Sequence, residues 1–368
     1  MSDRGSKEIS RRGFLAASLG AALVAAVGCG SEDNGGSGGN SNTAGNSGAG
    51  TGGTIGTSSQ ALVGLVRDTD FSKAVRDAVN MAGGLPDLNG KTVLLKPNLN
   101  SNEGPPTSPN PEVVRAAIRM VKDRGATRVI VGDRSNPAVD TIQAMTAAGI
   151  YDVAMAEGAT PMNFSGQATR LLTPAGAIHW PNGFTTYAMI LDQVNYIINM
   201  CCCKHHGGAN YTMAMKAWMG IIEQNDRNTA HQDLGNRLPE LHLGVKEDFV
   251  ILDATQALLT AGPHLGGRQA SPGIVIATAD AVAADATGLC VIKHYLAQIG
   301  QADPPDRQLH GLDSAPNGTG VGAQQWMDQQ QAAVFLPFPG NRRDRDDHAV
   351  LERLSNSGVP PPTPLAGS

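Results

Sequence analysis

Short apolar runs recur through the middle of the chain, each closed by a polar or turn residue and followed by a stretch with helical spacing. Residues 61–66 read as a first strand and residues 71–82 as an amphipathic helix. Residues 92–96 are apolar up to Lys96 and stop at Pro97, which predicts a strand entering a loop. In 112–124 the apolar positions Val113, Ala116, Ala117, Met120 and Val121 fall on one helical face, and Pro111 suits the first turn. Gly125 ends that helix; 128–133 is the next strand and 141–148 another helix. Three more buried strands are expected at 190–198, 249–253 and 273–277, with a long helix at 279–297. Strands alternating with helices of this length predict an α/β fold with a mostly parallel sheet, helices on both faces and Rossmann-like layering.

The two ends of the chain break this pattern. Ser10-Arg11-Arg12-Gly13-Phe14-Leu15 looks like a twin-arginine export signal, and an apolar run over 15–27 follows it. That run is shorter than the roughly 20 residues a spanning helix needs, but it suits a signal peptide. Ala26-Val27-Gly28-Cys29 resembles a bacterial lipobox with Ala26 at the usual leucine position, so Cys29 is the expected lipidation site. The alternative is a plain cleaved signal with an incidental cysteine. Residues 30–59 are rich in Gly, Ser and Asn, as a flexible tether would be. The expected organisation is therefore a leader over 1–29, a tether over 30–59, an α/β domain over 60–340, and a charged, then Pro-rich tail over 341–368. This predicts a partnership with the twin-arginine export machinery and a periplasmic or cell-surface domain held to a membrane by a lipid anchor. Chains on that route fold first in the reducing cytoplasm, where disulfides are rare.

Charge and composition narrow the partners. A net charge of −5 and few aromatics (4 %) argue against nucleic acid, whose binders carry a basic surplus and stacking rings. After Cys29 the cysteines are Cys201, Cys202, Cys203 and Cys290, and three of these adjoin, so no disulfide framework is expected.

The densest chemistry lies in Met200-Cys201-Cys202-Cys203-Lys204-His205-His206, expected where a buried strand ends. In an extended chain Cys202, Lys204 and His206 share one face, and Cys201, Cys203 and His205 the other. Three readings compete. Cys201, Cys202, Cys203, His205 and His206 could supply ligands for zinc, copper or iron, helped by Asp253 or His264 and by the thioethers of Met213, Met215 and Met219. Cys202 or Cys203 could be a nucleophile activated by Lys204 and the histidines. Or the cysteines simply fill tight space in a buried strand. There is no ferredoxin-type iron–sulfur cysteine run.

Lys96, Asp133, Lys204, Asp253 and Asp280 each fall at or just past a predicted strand end, the rim where open α/β sheets bind ligands. The plain alternative is that strands must end in something polar. At these places the chain also resembles a known family. Val93-Leu94-Leu95-Lys96-Pro97-Asn98 and the segment Thr107-Ser108-Pro109-Asn110-Pro111-Glu112 look like the start of the bacterial and archaeal domain of unknown function 362. Ile130-Val131-Gly132-Asp133, Ile198-Asn199, Lys204-His205-His206 and Ala214-Met215-Lys216-Ala217-Trp218-Met219-Gly220 continue the likeness. It extends through Ile251-Leu252-Asp253-Ala254, Gly262-Pro263 and the run from Ala279 to Asp285. Some members carry appended ferredoxin-like cysteine runs. The resemblance implies roles for Lys96, Asn98, Asp133, Lys204, His206, Lys216, Asp253, Asp280 and Asp285. This chain departs from the pattern at Cys201-Cys202-Cys203 and at Ala217, where the family has Pro-Lys-x and Asn.

Buried positive charge needs carboxylates or an anionic ligand. Lys96, Asn98, Lys204, Lys216, Asp280 and Asp285 are thus the expected ligand-binding set for an anionic small molecule or cofactor. His206, Asp133 and Asp253 are the candidate acid–base groups. Gly207-Gly208, ahead of a helix expected from Ala209, would let backbone amides approach the anion. The alternative is that the lysines pair structurally with Asp280 and Asp285.

Overall fold

The computed structural model describes residues 21–26 and 61–301. In chain order the elements are β1 (Ala21–Ala26), β2 (Leu62–Arg67), α1 (Phe71–Met81), β3 (Thr92–Pro97), α2 (Pro111–Asp123), β4 (Arg128–Asp133), α3 (Thr141–Ala147) and α4 (Ile150–Ala156). Then come β5 (Thr160–Asn163), β6 (Thr169–Leu172), β7 (Phe184–Tyr187), α5 (Ala188–Gln193), β8 (Tyr196–His206), β9 (Asn210–Thr212) and α6 (Ala214–Ala217). A 3₁₀ turn (Trp218–Ile221) leads to α7 (Gln224–Ala230), α8 (Leu234–Gly244), β10 (Phe249–Leu258), β11 (Gln269–Ala270), β12 (Ile274–Thr278) and α9 (Ala281–Gln298). The export signal, the lipobox-like end, the tether and the tail lie outside the described residues, apart from 21–26.

The main sheet runs β1-β2-β12-β10-β8-β3-β4-β5, with β11 on β10 and β9 on β8. β10, β8, β3, β4 and β5 are parallel to one another. β12, β2 and β1 complete one flank with antiparallel pairing. The expected parallel α/β core is present, and both faces are covered. Val93, Leu95, Val129 and Val131 face α1 to α4. On the opposite face, Leu94 and Ile130 lie with α5 and α8, and Val250 and Leu252 with α6 and α9. Burial on both faces is why these strands read as unbroken apolar runs.

Caps fix the helices where the sequence places them. Asp70 accepts the amide of Lys73 at the start of α1. Asn110 accepts that of Glu112 before α2, with Pro111 in the first turn. Two expectations fail here. Residues 190–198 are not one strand: α5 occupies the first part and β8 starts at Tyr196. β8 then runs on through all three cysteines to His206: Cys201 to Cys203 are buried, and Cys201, Cys202 and Lys204 pair with β10. Gly207-Gly208 turns a hairpin into β9 instead of opening a helix, and the next helix begins only at Ala214.

Helix α1 lies so close to β2 that a Cβ on Gly64 would sit 1.9 Å from the Ala78 carbonyl oxygen. Gly64→Ala should therefore push α1 off the sheet and cost about 1–3 kcal/mol. Gly104→Ala, whose Cβ would meet nothing within 4 Å, should stay within about 0.5 kcal/mol. Urea unfolding of the two variants tests this; equal midpoints would contradict the close approach.

Candidate functional site

The carboxyl ends of β3, β4 and β8 open into a cleft with ≈ 360 Å³ of empty space, reaching solvent. It is bounded below by an ion pair. Lys96, fully buried at the end of β3, lies 2.9 Å from Asp133 Oδ1 at the end of β4 and donates to the Ala217 carbonyl at 2.7 Å. Asp133 Oδ2 accepts the Leu99 amide at 2.9 Å, so this carboxylate also fixes the loop leaving β3. Gly220 closes over the pair: a Cβ there would lie 1.9 Å from Asp133 Oδ1 and 2.9 Å from Lys96 Nζ.

The cleft walls are cationic. Lys204, Lys216, Arg134 and Arg227 line it together with Asn98, His206 and Asp133. Lys204 donates from β8 to the Thr107 carbonyl, which ties the 98–110 loop across the cleft. Burial pushes its pKa down. Arg227, on α7, donates to the carbonyls of Arg134 and Ser135 at 3.2 and 2.6 Å. Arg134 reaches Gln224 through one terminal nitrogen, while its Nε and the Oδ1 of Asn98 are buried without hydrogen-bond partners among the described residues. His206 Nδ1 accepts the Gly208 amide at 3.1 Å, which leaves the ring proton of the neutral form on Nε2.

Lys216 differs from the other lysines. It sits on the one-turn helix α6, whose first two amides, Ala214 and Met215, donate to Asp285 at 2.6 and 3.3 Å. Asn199 holds the Ala214 carbonyl at 2.9 Å. Its backbone is thus clamped, yet no acceptor or carboxylate meets its amine among the described residues. Burial first, then the neighbouring charges of Arg227, Lys204 and Lys96, lower its pKa to about 7.

The cleft therefore gathers Asn98, Asp133, Lys204, His206 and Lys216 from the expected set, with Lys96 directly beneath. The remaining candidates stand elsewhere. Asp253 gives both oxygens to backbone amides, those of Asn110 at 2.6 Å and Thr255 at 2.8 Å, and burial raises its pKa. Asp280 caps α9 through the Ala283 amide. Asp285 clamps α6 and is likewise pushed up by burial. Among the described residues neither Asp280 nor Asp285 forms an ion pair with a lysine, and of the cleft lysines Lys96 pairs with Asp133. Among the described residues no three His, Cys, Asp or Glu side chains come together as metal ligands. Cys201 and Cys203 pack in the cluster beneath α9, and the pleat turns Cys202 to the other face. Burial pushes Cys202 to about 12 and the other two thiols well above their ordinary value, against nucleophilic attack by the free thiols. His205 Nδ1 accepts the Gly262 amide at 3.0 Å and serves the loop. Sequence reasoning missed Arg134 and Arg227. Arg134 directly follows Asp133 and could have been inferred from that strand end. Arg227 carries no local signal, because α7 reaches the cleft only through the fold.

Two lysines of one site should respond oppositely to removal. Lys96→Met leaves Asp133 as an uncompensated buried charge and should cost about 3–5 kcal/mol. Lys216→Met removes a cation that has no partner and should stabilise the fold. The folded pKa of about 7 lies below the ordinary 10.5, so burial of the charge costs most below pH 7. The wild-type protein recovers stability as pH rises from 7 towards 10.5, and the advantage of Lys216→Met should shrink over that window. Denaturant titrations at pH 6 and pH 9 check both signs.

A family model described as Domain of unknown function (DUF362) matches residues 93–289, more than half of the chain, from β3 into α9. No curated protein and no solved structure matches. The matched span contains every side chain that lines the cleft, and the chain belongs to the DUF362 family of domains of unknown function.

Proposed function

We propose that the cleft binds a small anionic molecule or anionic cofactor, a phosphate or carboxylate compound, with scope for enzymatic chemistry on it. One observation carries this reading. Lys204, Lys216, Arg134 and Arg227 line the cleft against a single carboxylate, Asp133, already engaged by Lys96 and the Leu99 amide. Clustered positive charge under desolvation is unfavourable until an anion joins it, so this lining favours anion binding. His206 Nε2 is the group placed to exchange a proton with such a ligand.

Lys216 links affinity to pH. A bound anion favours its charged form, so affinity should be highest below pH 7 and fall as pH rises, towards about tenfold per unit for one proton taken up. Calorimetry with inorganic phosphate and with oxalate, in buffers of different ionisation enthalpy, measures both affinity and proton uptake. Lys216→Met should weaken binding tenfold or more, the loss of one charge-assisted contact. Affinity unaffected by the substitution and by pH would remove the cleft as the anion site.

We further propose that the chain is exported by the twin-arginine route and anchored at the membrane through Cys29. Support comes from Ser10-Arg11-Arg12-Gly13-Phe14-Leu15, the apolar run before Gly28-Cys29, and the Gly/Ser/Asn-rich stretch that follows. Processing before Cys29 would take β1 with it and make β2 the sheet edge. Expressed with its leader, the wild-type chain should sediment with membranes and give a lipid-modified peptide beginning at Cys29. Cys29→Ser should be soluble after export, and Arg11→Lys/Arg12→Lys should stay in the cytoplasm. A Cys29→Ser protein still fractionating with membranes would refute the anchor.

A further inference from the structure

The cleft holds more than a general anion site requires. Of the three lysines around it, Lys96 is committed to Asp133 and Ala217, and Lys204 to Thr107. Lys216 is committed to nothing among the described residues, although it is only 8 % exposed and the helical turn that carries it is clamped at Ala214 and Met215 by Asp285 and Asn199. We propose that Lys216 forms an imine with the carbonyl carbon of a small 2-oxo acid whose carboxylate is held by Arg134 and Arg227. This rests on the reading of the cleft as an anion site and names the class of anion.

The surroundings support an amine that acts as a nucleophile. Attack needs the nitrogen lone pair, and a lysine exposes it near neutral pH only when desolvated or crowded by other cations. Lys216 meets both conditions: burial and the charges of Arg227, Lys204 and Lys96 bring it to about 7, so near neutral pH much of the protein carries the uncharged amine. A poor permanent cation is thereby a good nucleophile. The clamped turn that carries it supplies the fixed placement such a step needs.

The unsatisfied polar atoms fit the same class of ligand. The Nε of Arg134 is a buried donor and the Oδ1 of Asn98 a buried acceptor, both in residues that line the cleft. A 2-oxo acid offers its carboxylate to the guanidinium groups, and its tetrahedral adduct offers a hydroxyl to Asn98. The chemistry balances without a redox partner. The Nζ lone pair bonds to the carbonyl carbon, and the carbonyl electron pair moves to oxygen. That oxygen then leaves as water with the two amine protons, giving a carbon–nitrogen double bond.

Borohydride trapping with pyruvate as the probe tests this on the full chain, with calorimetry of pyruvate and inorganic phosphate alongside. Reduction in the presence of pyruvate should add one carboxyalkyl group to the peptide carrying Lys216. Inorganic phosphate should compete it away, trapping should rise as pH increases through 7, and Lys216→Gln should lack the adduct. Because the site is mapped by peptide mass in the wild-type protein, the result does not depend on how the variant folds. Pyruvate that binds in competition with phosphate yet leaves Lys216 unmodified overturns the imine while the anion site stands. An adduct spread over exposed lysines and absent from Lys216 also overturns it. Failure of both anions to bind removes the anion site and the imine with it.

Discussion

The arrangement of the cleft depends on the buried contact between Lys96 and Asp133. It joins the ends of two neighbouring parallel strands at 2.9 Å in a region that water does not reach. Neither partner stops there. Lys96 also holds the Ala217 carbonyl, at the point where α6 passes into the 3₁₀ turn, and Asp133 holds the amide of Leu99, where β3 passes into its loop. Two charges thus organise four segments. Only glycine fits at 220, because any Cβ would enter the space of the Asp133 carboxylate. The ion pair is better understood as a joint than as a source of stability, since a buried pair seldom outperforms apolar packing of equal volume. Its value lies in placing α6 against the rim, and α6 carries Lys216.

From that joint follows an imbalance of charge. The carboxylates near the cleft are spent on backbone amides: Asp253 on the Asn110 and Thr255 amides, Asp285 on α6, Asp280 on α9. Each secures a loop or a helix start, and none neutralises Lys204, Lys216, Arg134 or Arg227. Carbonyls satisfy Lys204 and Arg227 by hydrogen bonding, though a carbonyl dipole compensates a full charge only in part. Lys216 has neither form of compensation. The fold carries a local electrostatic cost where a ligand would relieve it, the usual signature of a site kept for function.

Much of this was legible in the sequence, for a physical reason. Strands buried on both faces must be apolar throughout, so 92–96, 128–133 and 249–253 announced themselves; Lys96 and Asp133 marked the ends of the first two, whereas β10 runs on past Asp253 to Leu258. Asp133 and Lys204 came from that pattern, whereas Asn98, His206 and Lys216 came from the family resemblance. The errors arose where local pattern and tertiary context part. Ala188 to Gln193 has an apolar run that serves equally a short helix, and helix won because its buried residues, Met189 and Ile190, pack beside Tyr187 and Trp180. Gly207-Gly208 could precede a helix or turn a hairpin, and the pairing of Lys204 with Thr212 decided for the hairpin. Arg227 was invisible because nothing within α7 distinguishes a cation pointed at a cleft from one pointed at water.

The cysteine triplet shows the same limit from the other side. As a string it is the most reactive-looking part of the chain; as structure it lies in the interior of an eleven-residue strand. Cys201 and Cys203 pack beneath α9, where the Cys203 thiol reaches the Gly288 carbonyl at 3.4 Å. Gly288 is itself so close to Met213 and Leu252 that a Cβ would lie 2.6 Å from each. Such a narrow gap between sheet and helix favours small, soft side chains. Reactivity is a property of a thiolate in a polar setting, and burial withholds that setting from these thiols. The same desolvation acts in the opposite sense on Lys216, whose uncharged form is the reactive one. One physical effect raises the pKa of the three thiols and lowers that of the lysine, because burial penalises the charged form of each.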